Sequence, residues 1–134
     1  MIRQTLALAA ALIAAPAVAV GQQPMMQHDQ TMRMQQMQQT MAQMDRLMQG
    51  MHQLNQQMMQ QHAQQRFQGM GQQMEEAGQR LQGMLKHLDE LRHDPQMQRD
   101  RDRMHQMDQL HDRLRTMVDE MQQAHGAFEQ LVKP

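Results

Sequence analysis

The sequence predicts an all-α protein, either an elongated antiparallel helical hairpin or a three-helix coiled-coil-like bundle, following a cleaved signal peptide. Three observations carry this. Strand formers are nearly missing: there are two phenylalanines, no tyrosine, no tryptophan, and after Val20 no isoleucine. Met, Gln, Leu, Arg and Ala, all fair helix formers, fill the space instead. Met34, Met37, Met41, Met44, Met48, Met51, Asn55, Met58 and His62 follow one another at gaps alternating three and four, the a/d seam of a coiled coil. Finally, Asp94-Pro95 reads as a helix start, with Asp as N-cap and Pro at the first helical position.

Residues 1–19 read as a secretory signal peptide. Arg3 supplies the positive end, Leu6 to Ala15 the apolar run, and Ala17-Val18-Ala19 the cleavage site. The run falls short of the roughly 20 residues a spanning helix needs, so no transmembrane segment is expected in the mature chain. The protein is expected to be secreted, with a bacterial periplasm as destination. Residues 20–30 are expected to form a flexible Met/Gln/His tail, because Gly21 and Pro24 break structure and nothing apolar repeats.

Residues 31–134 are expected to form a single helical domain. Its first helix covers about 31–66, with Asp29 or Thr31 as cap and Gly50 as a weak point inside it. The seam then loses phase, and a turn or kink near 66–71, beside Gly69 and Gly71, is predicted. A second helix over about 68–93 carries Met70, Met74, Ala77, Leu81, Met84, Leu88 and Leu91 on its apolar face, after Phe67. The third covers about 95–132, its apolar face including Met97, Met104, Met107, Leu110, Leu114, Met117, Val118, Met121, Ala124, Phe128 and Leu131. The tight corner at Asp94-Pro95 makes helices two and three antiparallel neighbours. If the chain does not turn back near residue 69, the first helix needs a partner from another chain.

Several function classes are disfavoured. The formal net charge is −1, and about −2 without the signal segment, so a nucleic-acid partner is not expected. With no cysteine there is no disulfide framework and no thiolate metal site. There is no serine, no glycine-rich phosphate loop and no His-Glu-x-x-His motif, so the chain is not expected to be an enzyme. Charge runs such as residues 99–103, and about twenty glutamines between Gln22 and Gln73, read as solvated helix faces.

What stands out is sulfur. Residues 25–59 hold eleven methionines against two leucines, although leucine specifies a core better and methionine is open to oxidation outside the cell. Thioethers are soft donors that select Cu(I) and, on the same argument, Ag(I). Four histidines have a methionine four residues earlier: Met48/His52, Met58/His62, Met107/His111 and Met121/His125. Helical neighbours at that spacing lie roughly 5–6 Å apart at Cβ and can clamp one ion. Met104 shares a face with Met107 and His111, and Met117 with Met121 and His125. Met25, Met26 and His28 form a soft-metal hook outside any seam. The bland alternatives are core packing for the methionines, and register-setting for the histidines on apolar faces.

In its signal peptide, small helical size, missing cysteine and Met25-Met26-x-His28 motif, the chain resembles the small periplasmic stress proteins of the Spy and CpxP kind. The resemblance implies helical, cradle-shaped dimers acting as ATP-independent chaperones or in heavy-metal responses. The family's Leu-Thr-x-x-Gln repeats are absent, and no site residue is carried over from it. The expected function is thus soft-metal binding, Cu(I) or Ag(I), for buffering or resistance. The alternative is a metal-independent chaperone-like or coiled-coil interaction protein, forming a homo-oligomer or receiving a partner helix through the Met seam.

Overall fold

The computed structural model describes the backbone of residues 23–133 and the side chains from Gln27 onward. The signal segment therefore lies outside the described residues. Those described form four helices and no strand: α1 (Gln23–Gln60), α2 (Gln65–Arg92), a single turn α3 (Pro95–Gln98) and α4 (Arg101–Val132). None of them is long and apolar enough to cross a membrane.

The boundaries differ from expectation at three places, each for a local reason. First, α1 begins at Gln23, so 23–30 are helical where a tail is expected; Pro24 falls in the first turn, where a missing N–H costs nothing. Thr31 is no cap, since its hydroxyl donates back to Gln27 O at 2.8 Å. Second, the reversal comes at 61–64, before the glycines. His62 sits at φ 52, while Ala63 N–H bonds Met58 O at 3.0 Å and His62 N–H bonds Met59 O at 3.5 Å. This is the Schellman pattern, with a histidine at the left-handed position that usually holds glycine. Gly69 and Gly71 lie inside α2. Third, the last helix is interrupted. Asp94 caps α3 through Gln96 N, but Asp100 then accepts from Asp102 N and Arg103 N and starts α4 afresh. Asp100, expected on a solvated face, is a cap.

The three long helices pack against one another as a bundle. Contacts set their directions. Asn55 meets Gly71 and Asp45 meets Gln82, so α1 and α2 are antiparallel. Arg33 meets Asp108 and Thr40 meets His111, so α1 and α4 are parallel. The core holds Met37, Met44, Leu47 and Met51 of α1, Leu81, Leu85 and Leu88 of α2, and Met107, Leu114 and Val118 of α4. Of the α1 seam, Met37, Met44, Met51 and Met58 are thus covered within the chain, Met41 and Met48 are half-buried, and Met34 stays exposed.

On α2 the expected Leu81 and Leu88 are buried and Met74 packs on the core, but the other expected row is displaced by one residue. Gly71, Gly78, Leu85 and Arg92 are buried at seven-residue intervals, while Met70, Met84 and Leu91 remain 42–47% exposed. Two glycines on the core face let α1 approach closely, and methionine ends fill the notches.

Candidate functional site

Met44, Met48 and Met51 lie at i, i+4 and i+7 on α1, one stripe of the helix, and α2 places Gly78 opposite them. A Cβ on Gly78 would stand 2.6 Å from Met48 Sδ, 2.6 Å from Met51 Cε and 3.4 Å from Met44 Cε. Three thioether side chains therefore converge on one point, over a residue that presents no side chain of its own. Met44 and Met51 are fully buried and Met48 half-buried. Met41 and Met44 border a cleft of ≈ 430 Å³ between α1 and α2, which Gln79, Gln82 and Lys86 also line. Met48 presents its sulfur at this point, and Met44 and Met51 present their methyl ends. A trio of neutral thioethers is a donor set that suits a soft monovalent cation. Of these three, only Met48 stands out from the sequence through pairing with histidine; Met44 and Met51 read there as core.

The structure separates the expected Met/His pairs by what lies opposite each. His52 is held on both nitrogens, Nδ1 3.2 Å from Glu75 Oε1 and Nε2 3.0 Å from Gln56 Nε2, while Met48 turns to Gly78. Glu75 also accepts from Asn55 Nδ2 at 2.6 Å, so His52 belongs to a polar network between α1 and α2. Met58 is buried with its methyl against Gly71, and His62 lies past the end of α1 in the left-handed turn, so the helical i,i+4 pair does not form. Met107 and His111 are both buried with Met104 half-buried beside them, but His111 Nε2 is taken by Thr40 Oγ1 at 3.0 Å. Met117 is 45% exposed, while Met121 and His125 are half-buried. His125 packs its ring on Gly50, and its buried Nδ1 has no hydrogen-bond partner. Met121/His125 is thus a pair whose imidazole keeps a buried nitrogen without a partner. His28 is exposed, and the side chains of Met25 and Met26 lie outside the described residues. Among the described residues no three His, Asp or Glu side chains group closely enough to hold a harder cation.

His111 fills a structural place. Thr40 Oγ1 donates to Gln36 O at 2.9 Å, which leaves its lone pairs to accept from His111 Nε2–H. Burial holds the His111 pKa below its ordinary value, and the Arg92 charge lowers it further; Arg115 acts the same way and Asp112 opposes. The neutral ring is therefore the folded form. A histidine depressed in the folded state contributes stability that is complete above the unfolded pKa of about 6.5 and declines as pH falls below it. The slope is at most about 1.4 kcal/mol per pH unit for one proton. Denaturant melts of wild type and His111→Gln at pH 7.5 and 5.5 are expected to show the larger acid loss in wild type.

At the far end of the bundle two guanidinium groups converge on one carboxylate. Arg33 Nη1 and Arg92 Nη2 both donate to Asp108, and Arg92 is 6% exposed. They border a cavity of ≈ 440 Å³ that Arg101, Met34 and Met104 also line. Its positive charge disfavours a metal cation despite the two thioethers. Nothing in the sequence marks Arg92.

Comparison with protein-family models, with characterised proteins and with solved structures finds no match.

Proposed function

We propose that this protein binds a soft monovalent metal ion, Cu(I) or Ag(I), as a secreted, periplasmic buffer or resistance protein, with Met44, Met48 and Met51 over Gly78 as its principal site. The observation that supports the reading is the convergence of three thioether side chains on a glycine notch beside a cleft. Met121 and His125, with the imidazole Nδ1 unpartnered, would form a second and weaker site. The two sites differ in proton chemistry. A thioether has no proton to lose, whereas imidazole must be neutral to ligate.

The test is a Cu(I) titration against a competing chelator in reductant, at pH 7.5 and 5.5. Wild type is expected to show a pH-independent class of site and a pH-sensitive one. Changing Met44, Met48 and Met51 to leucine keeps apolar volume, a swap that usually costs under about 1.5 kcal/mol each. The triple variant is expected to fold and to lose the pH-independent class, and His125→Gln to lose the other. Undiminished Cu(I) stoichiometry in the folded leucine variant would refute the site. Zinc is expected to compete poorly, because it prefers nitrogen and thiolate donors. An interaction role is the second reading, favoured by apolar side chains left exposed on the face of the bundle away from α1.

A further inference from the structure

The exposed apolar residues of α2 and α4 are not scattered. On α2, Met70, Ala77, Met84 and Leu91 recur every seven residues and all are exposed. On α4, Leu110, Met117, Ala124 and Leu131 do the same. Both rows flank the core faces of their helices on the side away from α1. The opposite flanks are polar and turn to α1, where Glu75 and Gln82 of α2 bond Asn55 and Asp45, and Asp108 of α4 bonds Arg33.

The rows also share levels. Arg92 meets Asp108 where α2 and α4 run antiparallel. One residue before Arg92 and two after Asp108 place Leu91 beside Leu110. Seven-residue steps down α2 and up α4 then place Met84 beside Met117, Ala77 beside Ala124, and Met70 beside Leu131. The α2/α4 groove is thus lined with apolar side chains at four successive levels, with exposures of 42–59% for its Met and Leu members. Flanking positions of a bundle that faces only water are normally charged.

We infer that this groove is the interface of a homodimer, with a second copy of the chain related by a two-fold axis parallel to the bundle. Such an axis lays α2 of one copy along α4 of the other and keeps every level opposite itself, Met on Met and Ala on Ala, so that the small layer admits close approach. Charge supports a copy of this chain over a foreign helix. Just outside the apolar rows, at matching levels, stand Arg80 on α2 and Glu120 on α4, both exposed. Among the described residues neither has an ion-pair partner within its own chain. The two-fold brings Arg80 of each copy to Glu120 of the other, closing two pairs at the rim. This interface is independent of the metal reading, since it uses none of Met44, Met48, Met51 or His125.

Sedimentation equilibrium of the metal-free chain tests it. The expected result is a dimer at tens of micromolar, with Met84→Glu/Met117→Glu monomeric and equally helical by circular dichroism. Arg80→Glu is expected to weaken dimerisation about ten-fold, and Arg80→Glu/Glu120→Arg to restore it. A wild-type chain that stays monomeric overturns the inference, and the groove then belongs to a helix of another protein. A dimer that persists in the Met84→Glu/Met117→Glu variant, or a charge swap that fails to rescue, overturns it equally.

Discussion

Asp108→Ala is expected to destabilise the bundle by about 3–5 kcal/mol, the range for a buried ion pair broken by loss of one partner. The carboxylate is the shared acceptor of Arg33 and Arg92, and the two arginines are not equivalent. Arg92 has a side chain only 5% exposed, and its Nε already lacks a partner. Burial, then the neighbouring Arg33 charge, pushes its pKa down from the ordinary arginine value. Without Asp108 that charge would stay buried beside a like charge. Arg33, 46% exposed at its side chain, can turn to water, so Arg33→Ala is expected to cost under about 1 kcal/mol. Arg92→Met removes the buried charge while keeping a straight apolar stem, and should be milder than Asp108→Ala. Urea melts of the three variants decide the matter. An Asp108→Ala variant within about 1 kcal/mol of wild type would show that Arg92 is better solvated than its burial implies.

Gly71→Ala should destabilise by about 1–3 kcal/mol, as overpacking does, although alanine is the better helix former. Its new methyl would overlap Asn55 Oδ1 and stand 2.6 Å from Met58 Cε. Asn55 cannot step aside cheaply, because its amide donates to Gly71 O at 3.1 Å and to Glu75 Oε2 at 2.6 Å. The same substitution at Gly78 meets only the ends of Met48, Met51 and Met44, which are flexible. Gly78→Ala should therefore be nearly neutral in stability while filling the point where the thioethers converge. At Gly83 nothing lies within 4 Å, and alanine should stabilise by roughly 0.5–1 kcal/mol. If all three changes moved stability alike, close helix approach at Gly71 would be ruled out as the cause.

Much of the architecture could be read from residues alone. The lack of β-branched and aromatic residues excludes strands, and the described residues contain none. The seven-residue row Met37, Met44, Met51 and Met58 on α1 is buried as its spacing predicts, because a helix repeats its faces at that period, while Thr40 and Leu47 are buried beside it and Met34 is exposed. Asp94 acts as a cap through a bond to a residue two positions away, a local interaction that sequence carries in full.

Other features depended on what stands opposite. Periodicity assigned Met70, Met84 and Leu91 to the core of α2 because their side chains are large and apolar. The fold buries Gly71, Gly78 and Arg92 instead. A glycine has no side chain to announce burial, and its use here is the space it leaves for methionines of α1. An arginine enters a core only where a carboxylate waits, and Asp108 lies on a different helix. The Met/His pairs show the same division. Four-residue spacing makes neighbours of them on any helix, yet Thr40 takes His111, Glu75 takes His52, and His125 is left with a free nitrogen. Sequence by itself determined the helices and the supply of thioethers, because those follow from local propensity and composition. Tertiary structure alone decided which methionine ends meet, because convergence on Gly78 depends on the register between two helices separated by a turn.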